Sequence, residues 1–221
     1  MMMSLSIACL ATFCLVPSGV VSDESTGKDI EMNNNPVWES LLPDSGLEGW
    51  TESGDPWTPA EWTREGDTIT GRIPTDQKAR LVIGDSTWTD YEVSYKATLL
   101  VGSALQLHFR VSEGGGYYMI DMWPGYEAPP GEEPGHPATL ISMRKAGAGG
   151  VDHLNKKPFP FKMNVEYDFR VVAIGSALSC YINGVMVNEV SHDMFRNGGI
   201  GLNMWHTTTA KYRDLKVRHI R

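Results

Sequence analysis

The chain has 221 residues, a formal net charge of −8 and 41% hydrophobic residues. This length suits one large all-β domain or two small domains. The lysines and arginines are scattered, so the basic face of a nucleic-acid-binding protein is missing and we predict no nucleic-acid partner.

The first 22 residues, MMMSLSIACLATFCLVPSGVVS, are typical of a secretory signal peptide. An uncharged apolar stretch at 5–16 is followed by a Pro-Ser-Gly break and small residues at a plausible cleavage point. A membrane anchor is the alternative, but the stretch is too short to span a bilayer comfortably. We therefore expect a secreted or periplasmic protein with no stable membrane insertion after cleavage.

Cleavage at this point would leave Cys180 as the single cysteine of the mature chain. An internal disulfide is then impossible. Cys180 lies in the strand-like segment LSCYI, which predicts a buried, inert thiol rather than a nucleophile.

Residues 23–36 are polar and turn-prone, which predicts a flexible lead-in to a domain at 37–221. From residue 37 onward, short segments rich in β-branched and aromatic residues alternate with Gly, Pro, Asp and Asn, and no window predicts a long helix. These segments are TITGR, ARLVIG, YEVSYKATL, ALQLHFRV, YYMIDMW, ATLISMR, YDFRVVAI, LSCYI, VMVNEV, GIGLNMW and YRDLKVRHI. Many short strands at even spacing indicate an antiparallel two-sheet β-sandwich or a closed barrel.

Two features of the connections are specific. Asn183-Gly184 fits a two-residue hairpin turn between LSCYI and VMVNEV. The stretches 124–138 and 146–160 flank ATLISMR and predict long loops that rim a binding site.

The segment ALQLHFRV alternates apolar and polar residues, which predicts that Gln106, His108 and Arg110 point to the outer face of a sheet. A four-residue turn at 113–116 would pair Ser112 with Tyr117. Counting back then sets Arg110 opposite Met119, His108 opposite Asp121 and Gln106 opposite Trp123. The same register sends Tyr118, Ile120 and Met122 into the core.

The late strand GIGLNMWH divides in the same way, with Ile200, Leu202 and Met204 inward, Asn203 and Trp205 outward, and His206 at its end. Aromatic faces at Tyr117, Trp123 and Trp205 would thus lie beside hydrogen-bonding groups of Gln106, His108, Arg110, Asp121 and Asn203. Sugars need this combination, because their C–H faces stack on rings while their hydroxyls need paired donors and acceptors. We therefore predict a carbohydrate groove.

Other sites are disfavoured. The sequence has no Cys/His spacing of a metal site and no Gly-rich phosphate loop, so we predict no metal and no cofactor. EYDFR lacks the second acid of a jelly-roll glucanase site, since Val171 occupies that position. Two alternatives stay open: a His–Asp contact that is only structural, and surface tryptophans that form a protein interface.

The order of segments resembles the 3-keto-disaccharide hydrolase domain family. The resemblance covers residues 37–221 and rests on WESLLPDSGLEGWTESG, PAEWTREGDTITGR, YEVSYKATLLVGSALQLHFRV with GYYMIDM, EYDFRVVAIGSALSCYINGVMVNEV and GGIGLNMWHTTTAKYRDLKV. It implies a concanavalin A/laminin G-like jelly-roll sandwich of a kind common in exported bacterial proteins. It also implies hydrolysis of an oxidised di- or oligosaccharide.

The chemistry implied by this resemblance assigns roles to four residues. A ketone at sugar C3 acidifies the C2 proton, so a base near C2, an acid near the glycosidic oxygen and a positive group near the ketone oxygen are required. His108 would be the base or acid, Asp121 would orient it, Arg110 would face the oxyanion and His206 would make the second proton transfer. A non-catalytic sugar-binding module and a protein-interaction domain are the alternatives.

Overall fold

A computed structural model describes residues 36–52, 60–74, 78–125, 135–145 and 150–220. The predicted signal peptide and, apart from Pro36, the predicted lead-in lie outside these residues. Within them there is no helix, and therefore none that is long and apolar enough to cross a membrane. The fifteen strands are β1 (Glu39–Ser40), β2 (Thr51–Glu52), β3 (Glu61–Glu65), β4 (Thr68–Ile73), β5 (Lys78–Ile83), β6 (Tyr91–Val101), β7 (Leu105–Val111), β8 (Tyr117–Trp123), β9 (Ala138–Arg144), β10 (Asp152–Pro158), β11 (Tyr167–Ile174), β12 (Ala177–Ile182), β13 (Val185–Ser191), β14 (Gly199–Trp205) and β15 (Thr208–His219).

The strands form two antiparallel sheets, which confirms the predicted β-sandwich. The first sheet has the order β13-β12-β11-β6-β15-β4-β3, with β1 beside β15. The second sheet has the order β10-β9-β8-β7-β14-β5-β2. The hydrophobic core lies between them and includes Leu105, Leu107, Phe109, Ile200 and Leu202 from the second sheet.

Several local predictions are confirmed. Tyr118, Ile120 and Met122 belong to the core, and Cys180 is a buried free thiol. Burial raises the pKa of Cys180 to about 12, so the thiol is unreactive at neutral pH. Asn183 and Gly184 both have positive φ, 51° and 80°, as a type I′ hairpin turn requires.

The predicted loop at 146–160 is partly wrong. Residues Asp152–Pro158 form β10, which pairs with β9 at the edge of the second sheet. This strand is mostly polar and exposed, so it lacks the alternation by which a half-buried strand is recognised. Most of the other predicted loop, residues 126–134, lies outside the described part of the chain.

The predicted register of β7 and β8 is wrong by two residues. Gln106 pairs with Asp121 and His108 pairs with Met119. Ser112 donates its backbone N–H to Gly116 O at 2.9 Å, so the turn is one residue tighter than predicted. A bulge at Arg110 supplies the second residue of the shift, because Phe109 and Val111 pair with the adjacent Ile200 and Gly199.

The bulge also corrects the predicted place of Arg110. Its φ of 49° turns the side chain away from the outer face, and the residue is 0% exposed. The guanidinium donates to Gly175 O at 2.8 Å, to Phe195 O at 3.1 Å and to Thr89 O at 3.2 Å, and it lies 3.3 Å from an Asp90 carboxylate oxygen. Arg110 thus ties the second sheet to loops beside the first.

We expect Arg110→Met to lower the free energy of unfolding by about 3 kcal/mol, because the partly buried carbonyls of Thr89, Gly175 and Phe195 lose a charged donor. Urea denaturation followed by tryptophan fluorescence measures the loss. Arg196→Met is the control, since the Arg196–Asp193 ion pair is largely exposed and should contribute little. Equal stability of the two variants would contradict the tying role of Arg110.

Candidate functional site

The outer face of the second sheet carries a groove made of two adjoining cavities. The inner cavity, of about 280 Å³, is lined by Lys78, Gln106, His108, Tyr117, Met119, Asp121, Arg144, Gly150, Val151, His153, Asn203 and Trp205. The outer cavity, of about 740 Å³, is lined by Ser103, Ala104, Asp121, Trp123, Leu140, His153, Lys156, Trp205, His206 and Thr207. Asp121, His153 and Trp205 line both and mark the junction.

Eight of the nine predicted site residues line this groove. Arg110 is the exception, since its guanidinium is buried elsewhere. The eight are Gln106, His108, Tyr117, Asp121, Trp123, Asn203, Trp205 and His206. The structure adds Lys78, Arg144, His153 and Lys156 to the cavity linings, and Arg80 through its contact with His108.

His108 is fully buried and is held by two neighbours. Its ring stacks on Tyr117 with centroids 3.8 Å apart and planes 13° apart. Nη1 of Arg80 lies 3.4 Å from His108 Nδ1. Because a guanidinium only donates, Nδ1 must accept, and the neutral imidazole then carries its proton on Nε2.

The electrostatics keep this imidazole neutral. Burial, followed by the positive charges of Arg80 and Arg144, holds the pKa of His108 well below its usual range. His108 Nε2 is buried and has no hydrogen-bond partner among the described residues. The site therefore presents a neutral Nε2–H donor that a ligand oxygen could satisfy.

Gly201 leaves room for the Arg80–His108 contact. Gly201 pairs with His108 on β7 and with Val82 on β5. A Cβ at this position would lie 3.0 Å from Arg80 Cδ and 3.2 Å from Arg80 Cγ, so any side chain would press on the Arg80 chain. The glycine lets the Arg80 chain cross the sheet to reach the imidazole.

Asp121 is the acidic group of the groove. Gln106 Nε2 donates to Asp121 Oδ2 at 3.2 Å, and Asn203 Nδ2 donates to Gln106 Oε1. Burial raises the pKa of Asp121 to about 6, although the hydrogen bond from Gln106 opposes the shift. Asp121 Oδ1 and Asn203 Oδ1 are buried without a partner in the described part of the chain, so two acceptors accompany the His108 donor.

Aromatic rings and cations border the outer cavity. Trp205 is 41% exposed, lies under Lys78 Nζ at 5.8 Å and packs on His206 with ring centroids 4.0 Å apart. On the other wall, Lys156 Nζ lies 5.0 Å from the Trp123 ring. Two flat apolar surfaces thus border an open cleft, as stacking of a sugar ring requires.

No group of three or more His, Cys, Asp or Glu side chains that could hold a metal ion occurs in the described ranges.

A family model described as the 3-keto-alpha-glucoside-1,2-lyase-like domain matches residues 37–218, most of the chain. The chain belongs to this family. Family membership confirms the predicted resemblance. A comparison with curated protein sequences gives no significant match.

Solved structures similar to this family member share its sandwich fold at low sequence identity. The carbohydrate-binding module CBM66 from Bacillus subtilis has a TM-score of 0.62 at 19% identity, over 77% of this chain and 95% of that chain. The carbohydrate recognition domain of Emp46p, in its metal-free form, has a TM-score of 0.56 at 10% identity, over 77% and 88% of the two chains. The exoplasmic/lumenal domain of VIP36, bound to Ca²⁺ and Man3GlcNAc, has a TM-score of 0.56 at 11% identity, over 82% and 88%.

Proposed function

We propose that this protein binds 3-keto-glycosides in the groove and hydrolyses them by elimination followed by addition of water. The observation that carries the proposal is the convergence of a neutral His108 and an Asp121 carboxylate, each with a buried unpartnered atom, on one cavity of the outer sheet face. Membership of the 3-keto-alpha-glucoside-1,2-lyase-like domain family supports the substrate class. The sequence pattern of residues 1–22 supports an extracytoplasmic location as part of the same proposal.

Asp121 is the base in this proposal. A carboxylate with a pKa of about 6 is mostly ionised at neutral pH and still basic enough to take the acidified proton from sugar C2. Oδ2 is held by Gln106, which leaves Oδ1 for the proton. This assignment differs from the sequence-based hypothesis that His108 is the base or acid and Asp121 orients it.

His108 stabilises the enolate. As C2 loses its proton, negative charge develops on the oxygen at C3, and a donor already aimed at that oxygen lowers the barrier. The Nε2–H of a neutral imidazole is such a donor, and Arg80 holds the tautomer that supplies it. The nearby guanidiniums of Arg80 and Arg144 add positive potential, a role that the sequence analysis gave to Arg110.

The decisive experiment incubates the purified protein with a 3-keto-disaccharide that carries deuterium at C2. We expect release of the monosaccharides and a primary isotope effect on turnover. Wash-out of the C2 deuterium should occur only to the extent that Asp121 exchanges its proton with solvent before returning it to C2. Binding without turnover would instead favour the sugar-binding module. Release with no primary isotope effect and no loss of deuterium would contradict elimination.

Trp205→Ala should weaken binding of the 3-keto-disaccharide about tenfold with little change in kcat. The exposed indole stacks equally on the bound sugar and on the transition state, so its loss costs about 1.4 kcal/mol of shared binding. Calorimetric titration of the inactive Asp121→Asn protein, with and without Trp205→Ala, measures this loss of binding free energy. Trp38→Ala is the control, because Trp38 packs on Lys216 and Arg218 of the other sheet.

A further inference from the structure

His153 occupies a position in the groove that the sequence did not predict. It lies on β10, is exposed, and lines both cavities at their junction with Asp121 and Trp205. Its Nδ1 is 2.9 Å from the Oγ of Ser142 on β9, and Ser142 is fully buried. A rigid hydroxyl therefore holds one edge of the imidazole and leaves Nε2 toward solvent or ligand.

A bulge in β10 places His153 on the groove side. His153 pairs with Ser142 and Asn155 pairs with Ile141, so Leu154 is the extra residue. Leu154 packs against the core, while His153 and Lys156 both face the groove. Without the bulge, regular alternation would set His153 and Lys156 on opposite faces.

The strand order fixes how far His153 stands from the proposed base. Asp121 is on β8 and His153 is on β10, with β9 between them. Two strand spacings are about 10 Å, and their partners on β9, Leu140 and Ser142, are two residues apart, which adds about 7 Å along the strands. The two backbones are therefore about 12 Å apart, and both side chains line the junction of the cavities. A sugar ring at the junction would thus have Asp121 on one side and His153 on the other.

We propose that His153 is the acid that protonates the leaving glycosidic oxygen. The inference rests on the elimination chemistry proposed above and names a residue for its second proton transfer. Ser142 acts as a positioning residue: with His153 as the imidazolium acid, the Ser142 hydroxyl accepts from Nδ1–H and so directs the Nε2–H to the substrate.

The proton balance of the step is complete. The C2–H electrons form the C1=C2 bond as Asp121 takes the proton, the C1–O bond breaks, and the leaving oxygen takes the proton of His153 Nε2. In the second half, His153 Nε2 takes a proton from water as the water oxygen adds to C1, and Asp121 returns its proton to C2. Both side chains regain their starting states, and the net reaction is hydrolysis.

His206, the residue that the sequence suggested for this transfer, is placed less well. It lines only the outer of the two cavities, and its ring centroid lies 4.0 Å from that of Trp205. It does not line the inner cavity, which holds His108. Its position suits contact with the departing sugar rather than with the bond that breaks.

The test uses leaving groups of different acidity. A 3-keto-disaccharide has a poor leaving group that needs an acid, whereas a 4-nitrophenyl 3-keto-glucoside has one that leaves unaided. His153→Gln should lower kcat for the disaccharide by about 10²-fold and for the nitrophenyl glycoside by about threefold or less. Ser142→Ala should also lower kcat more for the disaccharide than for the nitrophenyl glycoside, but by a smaller factor than His153→Gln.

His206→Gln is the matched comparison: loss of its contact with the departing sugar should raise KM for the disaccharide, without the 10²-fold selective fall in kcat. Equal losses of kcat on both substrates in His153→Gln, or the selective fall in kcat in His206→Gln, would overturn the assignment to His153. Because His153 is exposed, the variant should fold, and its circular dichroism melting curve checks this. A wild-type protein that cleaves neither substrate would overturn the proposed function itself. This result is distinguishable from a failure of the His153 assignment, which requires an active wild type.

Discussion

Asp121→Asn is expected to lower kcat for a 3-keto-disaccharide by 10²- to 10⁴-fold, the usual contribution of a positioned base. The amide keeps the shape of the carboxylate and can still accept from Gln106 through its oxygen, so binding should change little. Steady-state kinetics measures the loss, and titration of the bound sugar measures KD separately. The same base predicts a pH dependence in the wild type, with kcat/KM falling about tenfold per pH unit below pH 6 as Asp121 is protonated.

The same substitution should stabilise the fold at neutral pH. Burial raises the pKa of Asp121 from 3.8 to about 6, so the folded state binds this proton more tightly than the unfolded state does. Stability then falls as the pH rises from about 4 to 6, and the cost above pH 6 is about 2 to 3 kcal/mol. Asp121→Asn removes this cost. In urea denaturation the variant should therefore have a larger free energy of unfolding than the wild type at pH 7, and the difference should vanish near pH 4.

Asp152→Asn is the control, since it removes one carboxylate of exposed β10. It should leave both turnover and stability near the wild-type values. An Asp121→Asn protein that is inactive but no more stable would mean that the carboxylate is not buried as described. One that is more stable and fully active would exclude Asp121 as the base.

The sequence predicted the faces of β7 and β8 correctly although it predicted the register wrongly. The turn after Ser112 is one residue tighter than assumed, and the bulge at Arg110 adds one residue to β7. Either change alone would have exchanged the two faces of the strand. Together they restore the alternation, which is why Gln106, His108 and Asp121 share one face as predicted.

Arg110 could not be placed from alternation. The bulge requires a positive φ at Arg110, and arginine, unlike Gly or Asn, does not signal a positive φ in the sequence. The reason lies in distant residues, because the guanidinium is satisfied by Thr89, Gly175 and Phe195. Contacts so far apart in the chain leave no local signal.

The missed groove residues fall into two kinds. Arg80 and Arg144 lie on the polar side of KARLVI and ATLISMR, so the alternation that placed His108 could have found them. His153 could not be found this way, because its strand is polar on both faces and carries a bulge. Edge strands of this composition are hard to distinguish from loops.

His108→Ala is expected to lower kcat by 10²- to 10³-fold, the usual cost of removing one oxyanion donor, with little change in sugar affinity. The reason is that the Nε2–H contact strengthens only as charge develops on the C3 oxygen. The neutral state of the ring adds a direct check. Because burial and two arginines lower its pKa, the ¹⁵N signals of His108 at neutral pH should show an unprotonated Nδ1 and a protonated Nε2.

Arg80→Met separates the donor role from the base role. Loss of the guanidinium removes the hydrogen bond that fixes the tautomer, so part of the imidazole should move its proton to Nδ1 and turnover should fall. Were His108 the base, Arg80→Met would raise its pKa and could increase turnover, since the nearest positive charge is gone. A faster Arg80→Met protein, or a His108 that titrates near pH 6.5 in the wild type, would therefore return the role of base to His108 and leave Asp121 as its orienting partner.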